Sequence, residues 1–271
     1  MENSLKTSSL INLGVCVLIA LGQTPNIVAQ YAPSTPKDAA GALAASYVKT
    51  GLYVISGGGS NTVLRLSGNG LILVNGKYSE HYDELQRRVR RIVDQPVRVE
   101  INTDHYANHN GTNGQFTANG AQVIAQQNAA RHLHDKSSAE TQISPPAFTY
   151  ENEKTLQFGP VTVQLLHIDA AHTDGDTAVY FPDLKAVALG ALYTTNPIPD
   201  YSAGGTLAGW ENGLNQILKL DFDVAIPDSG PAVSRADIEA LRDKIDVLAR
   251  HDKAPERSGV SGNQLPVASE R

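Results

Sequence analysis

The sequence predicts an α/β protein built as a four-layer αββα sandwich. Three observations predict it. Short apolar runs with two-residue alternation recur in both halves, as in Thr62-Val-Leu-Arg-Leu66 and Val161-Thr-Val-Gln-Leu165. Each set of such runs is followed by helical spacing, with Tyr82, Leu85, Val89 and Ile92 in the first half and Ile238, Leu241, Ile245 and Leu248 in the second. The halves thus repeat one order, strands and then helix. Two sheets would pack together while helices cover their outer faces.

Taken in order, Tyr47 to Ile55 reads as a strand and Ser56-Gly-Gly-Gly-Ser60 as a turn. Thr62 to Leu66 and Leu71 to Val74 are strands joined by Ser67-Gly-Asn-Gly70. Ser79 is placed to cap the first helix, which Pro96 ends. Val97-Arg-Val-Glu-Ile101 is a half-buried strand. Ala121 to Ala125 is a strand, Asn128 to His134 a short helix, and residues 136–147 a polar loop. In the second half, Leu156 to Phe158 and Val161 to Leu165 flank the turn Gly159-Pro160. His167 to Asp176 is a polar loop, and Thr177 to Phe181 is a strand ended by Pro182. Ala186 to Leu189 is a buried strand. Leu207, Trp210, Leu214 and Ile217 share a helix face, and Phe222 to Ile226 is the last strand. Ser234 with Asp237 caps the final helix.

Composition bounds the function. A chain of 271 residues with 41% hydrophobic and 18% charged residues supports a sizeable core. Its net charge of -6 argues against a nucleic-acid partner. The one compact basic run, Arg87-Arg88-Val-Arg90-Arg91, falls on a predicted helix and reads as its wet face. Lys6, the apolar stretch Leu10 to Leu21 and the small-residue end Ile27-Val-Ala29 make residues 1–29 a signal peptide. That stretch is short for a bilayer span. The chain is therefore expected to be exported, periplasmic or secreted, with no stable membrane span after cleavage. A retained anchor is the alternative. Cys16, the one cysteine, lies inside the apolar stretch, so cleavage near Ala29 leaves neither a disulfide nor a thiolate. Residues 30–46 form a lead-in, 47–252 the folded domain, and 253–271 a disordered tail.

The densest chemistry follows the strand at Ile101. Asp104, His105, Tyr106, Asn108 and His109 crowd one Gly-containing loop just past a strand end, where sites are commonly built. A solvated loop is the bland alternative. Later come His172-Thr-Asp-Gly-Asp176, Ala178-Val-Tyr-Phe-Pro182, Gly204-Gly205 ahead of Trp210, and Ile226-Pro227 followed by Gly230-Pro231.

This succession resembles the metallo-β-lactamase superfamily over roughly residues 47 to 250. The resemblance implies two zinc ions, held by a His-x-His-x-Asp-His loop, a later His, a bridging Asp and a last His. Such metals lower the pKa of a shared water and polarise a substrate oxygen. On that pattern Asp104, Tyr106 and Asn108 replace His, His and Asp, while His109 and His172 are kept. The bridging Asp falls on Ala191, the last His on Ser229, and a supporting Asp on Asn75. Two of seven ligand positions thus keep their residue type. Alanine cannot ligate, and the neutral oxygens of Asn108 and Ser229 are poor zinc ligands.

Two readings follow from the resemblance. The first is a protein of this fold, inactive or weakly active, that binds a small molecule in the old cleft lined by Tyr106, Asn108, Ala191 and Ser229. The second is a metal-dependent hydrolase of the β-lactam, lactone or other ester or amide class. It would use one zinc ion at Asp104, His109 and His172, with Asp104 the candidate catalytic residue. The cofactor is accordingly none or one zinc ion. His105 would join only if the loop shifts by one residue. A serine nucleophile at Ser229 lacks the elbow such a residue needs. The loops over the cleft are Tyr193 to Gly205 and Gly57 to Ser60. Elsewhere the bland readings stand. His81, His132 and His134 belong on helix surfaces, and His251 lies beyond reach of the cleft. His167 packs at a strand end, Asp174 and Asp176 shape a loop, and Trp210 is core. Tyr106 packs or hydrogen-bonds in the space a metal would take.

Overall fold

The computed structural model describes residues 42–135 and 143–252. The signal peptide, most of the lead-in and the tail lie outside the described residues. A first sheet of seven strands runs in chain order. Its strands are β1 (Ala44–Lys49), β2 (Leu52–Ser56), β3 (Thr62–Ser67), β4 (Gly70–Val74), β5 (Val97–Ile101), β6 (Gln122–Gln126) and β7 (Phe148–Tyr150). The first four pair antiparallel, and β4 to β7 pair in parallel. A second sheet of five strands comprises β8 (Glu153–Phe158), β9 (Val161–Ile168), β10 (Asp176–Phe181), β11 (Ala186–Gly190) and β12 (Val224–Pro227). Its strands pair antiparallel except β11 with β12, which run in parallel.

Alternation along each strand assigns the layers. On β3 and β4, Val63, Ile72 and Val74 face the second sheet, where they meet Val163, Leu165, Val179, Phe181 and Ile226 in one buried cluster. The opposite residues, Leu64, Leu71 and Leu73, pack outward on Leu85 and Val89 of α1 (Tyr82–Ile92) and Phe116 of α3 (Asn113–Ala118). In the second sheet, Ala178, Tyr180, Val187 and Leu189 face α5 (Leu207–Ile217) and α6 (Arg235–Asp252). Three apolar seams separate four layers, so the structure is the αββα sandwich. Each fully buried Leu, Ile or Phe in these seams contributes about 1.5–3 kcal/mol. At the edge away from the cleft the sheets are also fastened by Arg65 of β3, whose Nη2 lies 2.5 Å from Asp183 Oδ2.

The structure departs from sequence expectation at a few places. The run from Tyr47 is a hairpin, not one strand. β1 starts at Ala44, within the expected lead-in, and turns at Gly51 with a left-handed φ of 73°. Ser79 does not cap α1; it opens a short 3-10 turn, and His81 precedes the helix without a side-chain cap. The ligand-rich stretch is not an open loop either. It holds α2 (Ala107–Asn110) and leads into α3, so His109 sits on a helical turn. The polar loop expected over 136–147 is followed by an unexpected edge strand, β7. The capping box of α6 is present, with Asp237 Oδ2 accepting from Ser234 N and Oγ at 2.7 Å each.

Candidate active-site cleft

Strand ends of both sheets deliver the site. β5 leads into Asn102 to Tyr106, β9 and β10 flank the His172 loop, and β12 delivers Asp228. The loop after β5 is set by Asn75, a residue with φ 61°. Asn tolerates that left-handed conformation better than most residues. Its amide grips Thr103 twice, with Oδ1 accepting from Thr103 N at 2.8 Å and Nδ2 donating to Thr103 Oγ1 at 2.9 Å. The expected supporting residue does support the loop, through a carboxamide.

Asp104 is fully buried at 0% exposure. Its Oδ1 accepts from Tyr106 N at 2.9 Å, and its Oδ2 accepts from Thr103 Oγ1 at 3.3 Å. Both oxygens lie 2.7 Å from His109 Nδ1. The other ring nitrogen, Nε2, donates to Asp228 Oδ1. A neutral imidazole carries one N–H, so two carboxylate acceptors require the imidazolium. Burial alone would lower the His109 pKa, but the charges of Asp104 and Asp228 overcome it and raise it to about 10. Burial alone would raise the Asp104 carboxyl, but the His109 charge, with the hydrogen bonds from His109 and Tyr106, holds it below its ordinary value.

His172 is buried in the same neighbourhood. Burial lowers its pKa, and the charges of Asp104, Asp200 and Asp228 act against that. Its ring lies 5.4 Å from Tyr106 and 5.4 Å from Trp210, edge-on to the latter. A Cβ on Gly205 would collide with the His172 carbonyl, so glycine lets the loop before α5 lie against it. Tyr106 donates its hydroxyl to Asp200 Oδ2 at 2.8 Å. Asp200 Oδ1 in turn accepts from Ser202 and Ala203 N–H groups and caps the short turn there. The tyrosine thus ties the β5 loop to the loop over the cleft. Tyr106→Phe is expected to cost about 1.5–3 kcal/mol, the range for a hydrogen bond to a charged acceptor, read from the urea midpoint.

The remaining expected positions separate. Asn108 is half-buried and donates to Gly59 O at 3.2 Å, joining the glycine turn to α2. Ala191 is half-buried beside Gly190, whose carbonyl accepts from Asp228 N at 2.8 Å. Ser229 is exposed, and its neighbour Asp228 turns inward instead. Sequence reasoning missed Asp228 and Asp200. A carboxylate one residue past a buried strand end was the available signal for Asp228. His132, on α4 (Gln127–Asp135), is half-buried and not the surface residue expected. Its Nε2 lies 2.7 Å from Asp174 Oδ1, and its ring lies 4.8 Å from the buried His105. His105 in turn lies 4.5 Å from Tyr106. His167 donates from Nε2 to the backbone carbonyl of Asp174 at 2.9 Å, and the Asp176 carboxylate accepts from Thr173 N and Oγ1 at 2.7 Å each, so both residues shape the loop. Trp210 is core at 0% exposure.

These residues do not fit a two-zinc centre. Asp104 spends its oxygens on His109, Thr103 and Tyr106, and both nitrogens of His109 are engaged by carboxylates. Among the described residues no group of three His, Cys, Asp or Glu side chains is arranged to hold a metal ion.

A four-layer αββα sandwich of this kind is the metallo-β-lactamase fold. The chain is similar in structure to a metallo-β-lactamase from Pontibacter korlensis, with TM-score 0.67 and 16% identity over 75% of this chain and 99% of that one. It is similar to the metallo-β-lactamase FIM-1 from Pseudomonas aeruginosa in its mono-zinc form, at TM-score 0.66 and 15% identity over 76% of this chain and 96% of that one. It is likewise similar to the DIM-1 metallo-β-lactamase, at TM-score 0.66 and 15% identity over 77% and 99%. At the sequence level it is 24% identical over 200 residues to the 2,4-dinitroanisole O-demethylase subunit alpha of Nocardioides sp. (strain JS1661), which covers 71% of this chain. The chain spans 59% of the length of that relative. No family model matches the chain.

Proposed function

We propose that this is an exported, periplasmic or secreted metallo-β-lactamase-fold protein without a dinuclear zinc centre. In this reading it is inactive or weakly active as a hydrolase and binds a small molecule in the cleft beside Tyr106, Asn108 and Ala191. The observation that carries it is His109, retained at a ligand position yet bonded at both ring nitrogens to carboxylates. A ligating imidazole must present a bare nitrogen to the metal. Export rests on the n-region and apolar stretch of residues 1–29 and on the dispensable Cys16. A net charge of -6 supports a partner other than nucleic acid.

A second reading is a hydrolase with one ion at Asp104, His109 and His172. It is favoured by the closeness of these residues and by a relative named as a demethylase subunit. It requires His109 to give up a carboxylate.

The test is turnover by the purified protein, with and without added zinc, on β-lactam, lactone and thioester substrates and on 2,4-dinitroanisole. No turnover above background is expected. Turnover abolished by His172→Ala would overturn the first reading in favour of the second.

A further inference from the structure

Asp104 follows β5 of the first sheet, and Asp228 follows β12 of the second. Each is placed by bonds that do not involve His109. Asp228 N donates to Gly190 O at 2.8 Å, and Asn61 N donates to Asp228 O at 2.5 Å. Asn61 Nδ2 braces the same turn through Pro227 O at 3.0 Å and Gly230 O at 2.9 Å. On the other side, Thr103 and Tyr106 orient Asp104. Two positioned carboxylates therefore converge on one imidazole that is itself 1% exposed. A buried carboxylate is tolerated when an opposite charge pairs with it. In a metal enzyme the ion supplies that charge.

We infer that the imidazole of His109, held at both ring nitrogens by carboxylates, stands in the structural place of a metal ion and joins Asp104 to Asp228. The inference rests on the reading that the dinuclear centre is absent, and it goes further by naming what replaced that centre. The bridge spans the two sheets at the cleft end, opposite the Arg65–Asp183 pair. A divalent ion entering here has to displace a proton of His109 and compete with the hydrogen bonds that Thr103 and Tyr106 already give Asp104.

The test uses the full chain with 15N-labelled histidine at neutral pH, first with a chelator and then with one equivalent of zinc. Both ring nitrogens of His109 are expected to carry protons in both samples, with no change in melting temperature on adding zinc. A His109 ring nitrogen that is bare in chelator, or that loses its proton as zinc raises the melting temperature, overturns the inference. Asp228→Asn keeps the shape and removes one charge, and it is expected to lower the melting temperature by roughly 5 °C. An unchanged melting temperature would also overturn the bridge. The two ideas fail separately. Turnover with His109 still doubly protonated sinks the proposed function alone, and a singly protonated His109 without zinc uptake sinks this inference alone.

Discussion

Replacing Trp210 with alanine is expected to cost about 3–5 kcal/mol, the range for deleting a large buried aromatic. For a domain of this size that corresponds to a fall in melting temperature of roughly 10 °C. Trp210 is fully buried in the seam between the second sheet and its two helices, among Ile168, Leu189, Leu214 and Ile238. It also holds a polar contact, with Nε1 donating to Leu192 O at 2.8 Å. Alanine therefore leaves both a cavity and a buried carbonyl without its donor. The consequence reaches the cleft, because Trp210 meets the His172 ring edge-on and Leu192 follows Ala191. Trp210→Phe separates the terms. It fills most of the space but loses the N–H, and is expected to cost about 1–3 kcal/mol, the cost of one unsatisfied buried group. Trp210 is the chain's single tryptophan, so unfolding is followed by far-UV circular dichroism in urea rather than by fluorescence. A cost below 1 kcal/mol for the alanine variant would show that the seam repacks.

The layers were legible in the sequence because strands buried on both faces still separate their neighbours. Val63 and Leu64 are both apolar, yet one enters the inter-sheet seam and the other the helix seam. Helix faces were legible for the same reason in α1 and α5. What was not legible is local geometry without a hydrophobic price. The Thr50-Gly51 turn breaks the run from Tyr47 with one glycine and no proline, so the run reads as a single strand. At the site, the resemblance pointed to Asp104, Tyr106, His109 and His172, and the structure places Asp104 against His109 and Tyr106 against the His172 ring. The resemblance could not say which residue after β12 turns inward. A shift of one residue at a strand end exchanges inward and outward side chains, and this is the difference between Ser229 and Asp228. Asp200 and His132 escaped for another reason. Each is held by partners distant in sequence, Asp200 by Tyr106, and His132 by Asp174 and His105. Nothing in the local spacing of either announces those partners.

Glu100→Gln is expected to make stability less dependent on pH between about 4.5 and 8, and to raise it at the upper end. Glu100 lies on β5 beneath the site loop and is fully buried, with Oε1 accepting from Thr112 Oγ1 at 3.1 Å and no hydrogen-bond partner at Oε2 among the described residues. Burial is the larger influence and raises its pKa to about 8, against the opposing Thr112 bond. The folded state therefore binds a proton that the unfolded chain has released above about pH 4.5. With the folded pKa above the unfolded one, stability is full below that pH and falls as the pH rises toward 8. At pH 7 the cost is about 3 kcal/mol, from 1.36 kcal/mol for each pH unit above the unfolded pKa. Lys77, tied to the same Thr112 through its backbone N–H at 3.3 Å, has the opposite sign. Burial lowers its pKa to about 7, and its Nζ donates to the carbonyls of Ile55 and Ser60, two acceptors for the two hydrogens of a neutral amine. Its contribution therefore grows as the pH rises from about 7 toward its unfolded value. His109, raised to about 10, loses its contribution between about 6.5 and 10. Because the three overlap above pH 7, the decisive quantity is a difference curve. Urea-derived stability of wild type minus that of Glu100→Gln should fall by about 3 kcal/mol between pH 4.5 and 7 and level off above 8. A flat difference curve would mean that Glu100 is ionised in the fold, with a counter-charge that Thr112 does not supply.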